Sequence, residues 1–250
     1  MVELFGTLGG GVKSAPHERV FDRVRKAKSI RAMVLDIDSP GGSVPASEYI
    51  YRCVAKVAEQ KPVVAAIRGV GASGAYMVAC GAQRIVAAPG ALVGSIGVVS
   101  VRPMLRAALE KIGVDISVTK SGELKDMGAV WRPPTPEEEA KMQELTDESY
   151  GRFVEIVAGA RGLTHSSARE LATGEVFWAT RALEAGLVDE LGNLDLAVDR
   201  AANLAGCAKK VVRMGPRRGL GQRLFRPLSE SLVESVANEF ERRLWIQSLR

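Results

Sequence analysis

GVGASGAYMVACGAQRIVAAPGALVGSIGV, residues 69–98, decides the fold of this chain. It lies within a longer span, residues 60–109, that contains no Asp or Glu. An apolar run from Val63 to Ile67 leads into a turn punctuated by glycines. A helix of small residues begins near Ser73, and a second apolar run, Ile85–Ala88, ends at Pro89-Gly90. Strand, turn, helix, strand is the grammar of a βαβ unit. A serine hydroxyl stands where the turn becomes the helix, and the chemistry is expected there.

The flanking chain repeats the pattern. Val2–Phe5 reads as a strand, Glu18–Ala27 as a helix, Ala32–Ile37 as a strand and Ala46–Glu59 as a helix with Tyr49, Ile50, Val54 and Val57 at helical spacing. Beyond the central stretch, Pro103–Lys111 predicts a helix and Asp115–Thr119 a strand. SGELKDMGAVWRPP is a loop by its Gly and Pro content. Thr135-Pro136-Glu137-Glu138 carries a capping-box signature for a long helix reaching about Ala160. Ser166–Thr173 follows as a helix, and GEVFWATRALEAGLVDELG gives a strand, a helix and a closing turn. Alternating strands and helices place the chain in the α/β class.

The 250 residues, 46% hydrophobic and 25% charged, suit a globular domain with a full core. Cys53, Cys80 and Cys207 form no Cys-x-x-Cys and read as buried thiols. The net charge of +5 is carried by the C-terminal side. Residues 209–226 hold seven basic side chains and no acidic one, which leaves −2 for the remainder. Such a body lacks a nucleic-acid footprint. GPRRGLGQ reads as a linker, and Leu228–Leu249 as an amphipathic helix. That tail has three readings: packing on the body, joining an oligomer interface, or meeting an anionic membrane surface. No apolar run reaches the ~18 residues that span a bilayer, and no signal-peptide pattern opens the chain. The chain as given reads as soluble, with an anchor upstream of Met1 left open.

Gly69, Gly71 and Gly74 spell the dinucleotide-binding pattern Gly-x-Gly-x-x-Gly. That site also needs an acidic residue about twenty positions on, to hold a ribose. The next acid is Glu110, and no Gly-Lys-Ser/Thr follows, so a nucleotide site is disfavoured. As a nucleophile, Ser73 needs a base to take its proton. The two histidines, His17 and His165, lie in segments that read as solvated. A lysine serves if burial away from counter-charges brings its pKa from ~10.4 to near 7. Lys125, in a glycine-flanked loop, is the candidate, against the alternative of an ordinary surface lysine. Asp126 beside it is a difficulty, because a neighbouring carboxylate favours the charged amine. Pro40-Gly41-Gly42, directly after a strand, is either an oxyanion-binding turn or a plain glycine turn.

In combination these residues resemble the signal peptide peptidase A family of membrane-associated serine peptidases. DSPGGS at 38–43, GASGAYM at 71–77, GSIGV at 94–98, SGELKD at 121–126 and GLVDELG at 186–192 match family motifs in order, from about Val2 to Gly192. The resemblance implies a Clp-protease/crotonase-like fold, a repeated ββα superhelix, over residues 1–207. Residues 208–250 would add a basic linker and the C-terminal amphipathic helix. It implies Ser73 as nucleophile and Lys125 as general base. Gly41, Gly42 and the Gly74 amide would form the oxyanion hole, and Ser95 would orient the lysine. No metal or cofactor is implied. The expected function is a serine endopeptidase cleaving unfolded hydrophobic peptides, such as remnant signal peptides, through an acyl-enzyme. Short members of the family form octamers in which adjacent protomers supply the serine and the lysine. Here those residues stand 52 positions apart, at 73 and 125. The sequence departs from the family in Gly-Ala-Tyr-Met after the serine, where Gly-Gly-Tyr-Tyr is common. A crotonase-type acyl-CoA enzyme and an inactive oligomeric scaffold are the alternatives.

Overall fold

The computed structural model describes residues 1–216; the amphipathic helix read at 228–249 and most of the basic linker lie outside them. Residues Met1–Gly215 form one compact unit. Its centre is a run of parallel strands, β1 (Val2–Phe5), β2 (Met33–Ser39), β3 (Val63–Ala72) and β4 (Arg84–Ala87), hydrogen-bonded in that order. A two-residue strand, β7 (Glu190–Leu191), closes the β4 edge. The connections are α1 (Ser14–Lys26), α2 (Val44–Ala58) and α3 (Gly74–Ala79).

Parallel strands buried on both faces need apolar side chains on both. Leu35, Ile37, Val63, Ala65, Ile67 and Ile85 join one core with the buried faces of α1, α2 and α3. The residues between them, Val34, Val64, Ala66 and Val86, turn the other way. They pack on Ala197, Val198 and Ala201 of a final helix, α8 (Leu194–Ala205). That helix is capped by the Asn193 side chain, which accepts from the Leu196 amide. Residues 208–215 then return to the first strand, where Met214 bridges to Val2.

β3 is long enough to serve two partners on one edge. Val64–Ile67 pairs with β4, and Val70–Ala72 pairs with β5 (Leu92–Gly94). β5 is flanked in turn by the antiparallel β6 (Val176–Trp178). The three glycines of the dinucleotide pattern are explained by this packing. A Cβ on Gly69 would lie 3.1 Å from Asp38 Oδ1, one on Gly71 would lie 2.7 Å from Ile67, and one on Gly74 would overlap Ser47 Oγ.

Some expectations fail, and of the three thiols read as buried only Cys80 is. Asp115–Thr119 alternates like a strand, yet it pairs with nothing among the described residues, and Ile116 and Val118 are exposed. His17 is buried on α1 instead of solvated, with Nδ1 2.7 Å from Lys13 O. The predicted Pro103–Lys111 helix shortens to α4 (Arg106–Lys111), none of whose residues is buried. The long helix is α5 (Pro136–Arg161), with the predicted capping box formed between Thr135 and Glu138. It is followed by α6 (His165–Leu171) and α7 (Ala179–Glu184). Among the described residues no helix is long and apolar enough to cross a membrane.

Candidate active site

The C-terminal ends of parallel strands are where open α/β sheets present their ligands. β3 and β5 end side by side, with Ala72 in register with Gly94, so the next residues, Ser73 and Ser95, are neighbours. They are also the only non-glycine residues with positive φ among those described, at 52° for Ser73 and 49° for Ser95. Backbone in such regions costs about 1–3 kcal/mol per residue and persists only where the surroundings enforce it. Here the Ser73 amide donates to Gly94 O at 2.7 Å, and Ser73 O accepts from the Met77 amide at 3.0 Å. The Ser95 amide donates to Glu175 O at 2.7 Å. Both serines are half-buried.

The Pro40-Gly41-Gly42 turn at the end of β2 lies directly on Ser73. A Cβ on Gly41 would stand 2.8 Å from Ala72 O, 2.8 Å from Gly74 N and 2.9 Å from Ser73 Cβ. Gly41 has φ 99°, so it is glycine for two reasons, conformation and room. Its own amide is taken by Ser39 Oγ at 3.2 Å. Its carbonyl accepts from the Leu8 amide at 2.8 Å, and the Ser43 amide donates to Leu8 O at 3.1 Å. Those bonds leave the Gly42 and Gly74 amides as the donors beside Ser73 without an acceptor among the described residues. Two unspent N–H groups next to a strained serine hydroxyl form an arrangement able to hold an oxyanion.

Behind the serine, α3 is wholly buried. The Tyr76 hydroxyl donates to Leu187 O at 2.7 Å, and burial raises its pKa well above the usual range. Burial likewise pushes the Cys80 thiol up to about 12, so this cysteine is an inert core group. Arg161, from the last turn of α5, donates to Gly186 O at 2.7 Å and to Asp189 Oδ2 at 3.0 Å. Asp189 Oδ2 also accepts from the Ile85 amide at 2.7 Å. Burial opposes the Asp189 carboxylate, but Arg161 and that amide outweigh it and keep its pKa below the usual value. GLVDELG therefore anchors the floor under α3; none of its groups reaches Ser73 by a hydrogen bond.

The structure thus gathers Ser73, Gly41, Gly42, Gly74 and Ser95. Lys125 makes no hydrogen bond to any of them. It lies in a 3-10 turn, Glu123–Asp126, on the segment between β5 and α5, and is exposed. No hydrogen bond or ion pair engages its amine among the described residues. Asp126, the expected difficulty, turns elsewhere: Oδ1 accepts from Lys120 Nζ at 2.7 Å and Oδ2 from Arg132 Nε at 3.0 Å. The segment between β5 and α5 carries apolar residues that are exposed among the described residues. Val99 is 82% exposed, Val101 83% and Ile112 72%. Neither histidine hydrogen-bonds to Ser73 among the described residues. His17 is buried on α1, and His165 opens α6 at the surface.

The fold has counterparts among solved structures. A ClpP1 mutant from Listeria monocytogenes aligns with 78% of this chain and 92% of its own, at TM-score 0.50 and 17% identity. A membrane-bound stomatin-specific protease mutant aligns with 85% of this chain and 90% of its own, at TM-score 0.51 and 16% identity. They establish a Clp-protease-like fold. In sequence, a Synechocystis protein that carries a protease name is 39% identical over 205 residues, covering 82% of this chain and 73% of that one. Protease 4 of Salmonella typhi is 37% identical over 80% of this chain and 32% of its own length. The chloroplastic serine protease SPPA of Arabidopsis thaliana is 37% identical over 70% of this chain and 26% of its own length. The family model for peptidase family S49 matches residues 55–208, a span that runs from the last turn of α2 through Ser73, Ser95 and Lys125 to the end of α8. On that match, and on a fold that puts a strained serine beside two free amides, the chain belongs to peptidase family S49 and is a serine peptidase.

Proposed function

We propose that this serine peptidase works by a Ser73–Lys125 dyad completed between protomers, and that it cleaves hydrophobic peptides in extended form. One observation carries the proposal: Ser73 sits strained beside the free Gly42 and Gly74 amides, and no histidine hydrogen-bonds to it among the described residues. A base must come from elsewhere. Ser73 Oγ attacks the scissile carbonyl while the neutral Lys125 amine takes its proton. The carbonyl oxygen, now negative, is held by Gly42 N–H and Gly74 N–H. Lys125 then returns the proton to the departing amine, leaving an acyl-enzyme that water opens by the same steps in reverse roles. Ser95, next to Ser73 in register, orients the lysine.

To act as base the lysine amine must be neutral, and burial by a neighbour is what would favour that form. The exposed ridge of Val99, Val101, Met104, Leu105 and Ile112 supplies the surface for that neighbour, a second copy of this chain. The ring would close as a homo-oligomer, an octamer by family resemblance, with each serine facing the next protomer's lysine. Remnant signal peptides are the substrate class that the same resemblance favours. Membership of a peptidase family displaces the acyl-CoA reading. A membrane contact through residues 208–250 belongs to the same proposal.

The test is complementation. Ser73→Ala and Lys125→Ala are each expected to abolish cleavage of a hydrophobic fluorogenic peptide. Mixed one to one and reassembled, they should recover about a quarter of wild-type activity, because half the serines meet half the lysines around a head-to-tail ring. Full activity in either single variant would remove the dyad. Inactive singles with no recovery would place both residues on one chain. An unlabelled Ser73 after fluorophosphonate treatment of the wild type would favour an inactive scaffold.

A further inference from the structure

The turn bearing Lys125 is braced by a run of charges that the peptidase chemistry above leaves unexplained. It starts at the N-terminus of α5, where Glu138 is only 2% exposed. Its Oε2 accepts from the Thr135 amide at 2.9 Å and from Arg132 Nη1 at 2.9 Å, and its Oε1 accepts from Arg132 Nη2. Arg132 reaches on to Asp126 Oδ2 through Nε at 3.0 Å. Lys120 closes the far side, donating to Asp126 Oδ1 at 2.7 Å and to Glu123 O at 2.8 Å. One guanidinium fork therefore joins a rigid helix end to the turn, within a segment whose only helix, α4, buries no residue. Arg132 is suited to that task because its five donors are fixed in one plane.

The brace has an electrostatic effect as well. The charged groups placed about the turn are Lys120, Glu123, Asp126, Arg132 and Glu138. Both Asp126 oxygens are engaged by cations, Lys120 first and then Arg132, and those bonds hold its carboxyl below the usual range. Arg132 chiefly, with the Thr135 amide, holds Glu138 at about 2. The acid next to Lys125 is thereby ionised, yet unavailable to it as a counter-charge.

We propose that Lys120, Arg132 and Asp126 are positioning residues for Lys125: they fix its turn and withhold the neighbouring carboxylate that would keep the amine charged. The proposal rests on Lys125 being the base. Freeing Asp126 lets the carboxylate stabilise the ammonium form, so the lysine pKa rises and less neutral amine remains at pH 7.

The experiment is the pH profile of kcat/KM for the assembled full chain on a hydrophobic fluorogenic peptide, whose acidic limb reports the base. Lys120→Gln and Arg132→Gln should each move that limb up by about half to one pH unit, a three- to tenfold loss well below the limb. Adding Asp126→Asn to either should bring the limb back, which no loss of mere bracing would do. Lys120→Gln is a surface change and keeps the test available if Arg132→Gln folds poorly. Limbs that stay at the wild-type pH in both variants, or shifts that Asp126→Asn leaves in place, overturn the proposal while the dyad stands. Wild-type kcat/KM in Lys125→Ala would instead overturn the dyad itself.

Discussion

Gly41→Ala is the most informative single change, because its two consequences separate. At φ 99° an alanine is strained by about 1–2 kcal/mol, a stability loss that any non-glycine residue would bring. In addition the new methyl would stand 2.8–2.9 Å from Ala72 O, Gly74 N and Ser73 Cβ, below the closest approach that real Cβ atoms make. Two of those three are backbone atoms of the strained β3–α3 junction, so the movable part is the Pro40–Gly42 turn. Lifting that turn carries the Gly42 amide away from Ser73. Loss of one oxyanion donor costs about 2.7–4 kcal/mol of transition-state stabilisation, or 10²–10³ in kcat. Gly6→Ala is the matched control: its φ is 90°, and nothing lies within 4 Å of its Cβ. Gly41→Ala should lose at least as much stability as Gly6→Ala in denaturant melts, and fluorophosphonate labelling of Ser73 and peptide turnover should collapse only in Gly41→Ala. If turnover in Gly41→Ala stays within about threefold of wild type, or falls equally in Gly6→Ala, the oxyanion turn is misassigned.

Other consequences follow from the charged and buried groups. Asp36, wholly buried in β2, is held by both arms of Arg68 at 2.6 Å. Arg68→Ala strands that carboxylate and should destabilise the fold by about 2–3 kcal/mol, below the usual 3–5 because Arg68 is half-exposed. A shift in the urea midpoint worth under about 0.5 kcal/mol would refute this. Asp189 and Glu138 both have folded pKa values below their unfolded ones. Each binds fewer protons when folded, so its stabilisation is present above its unfolded pKa and drains as the pH falls through its folded one, about 2 for Glu138. Asp189→Asn should flatten that acid limb in melts at graded pH, and an unchanged slope would count against the Arg161 pairing. With its thiol pushed up to about 12, Cys80 should stay unmodified by a disulfide reagent until denaturant is added. Prompt native labelling of Cys80 would contradict its burial.

Much of this was legible in the sequence because the informative residues act locally. The apolar run into GVGASG, the Thr135–Glu138 box and the glycine turn after β2 each state their backbone conformation in the residues themselves. What stayed hidden depends on partners distant in the chain. GALVGS shows only three residues of strand, and their place is set by β3 and by Val176–Trp178, more than eighty positions later. The helix Leu194–Ala205 went unread, although its Asn193 cap and the apolar spacing of Leu194, Ala197, Val198 and Ala201 are local signals; the second face of the sheet explains why it is needed. His17 misled because its neighbours Lys13, Glu18 and Arg19 are polar, while its own position on α1 faces inward.

The segment carrying Lys125 is a different kind of failure. Asp-Ile-Ser-Val-Thr has the alternation and β-branched residues of a strand, and a strand requires an edge to pair with. Among the described residues that edge is missing, and Ile116 and Val118 are exposed along with Val99, Val101 and Ile112. The same stretch holds the base candidate and the charge brace at Asp126, Arg132 and Glu138. Local ion pairs hold its turn in shape, whereas Val99, Val101, Ile112, Ile116 and Val118 are exposed among the described residues. Internal bracing and exposed apolar residues suit a segment that docks on another surface. Under the dyad proposal that surface is a neighbouring copy carrying its own Ser73 and Ser95. If so, substituting Val99 and Ile112 with Glu should dissociate the assembly and abolish turnover, and yet leave the melt of the isolated chain unchanged. An assembly that withstands both charges would mean that the ridge meets something other than a second copy.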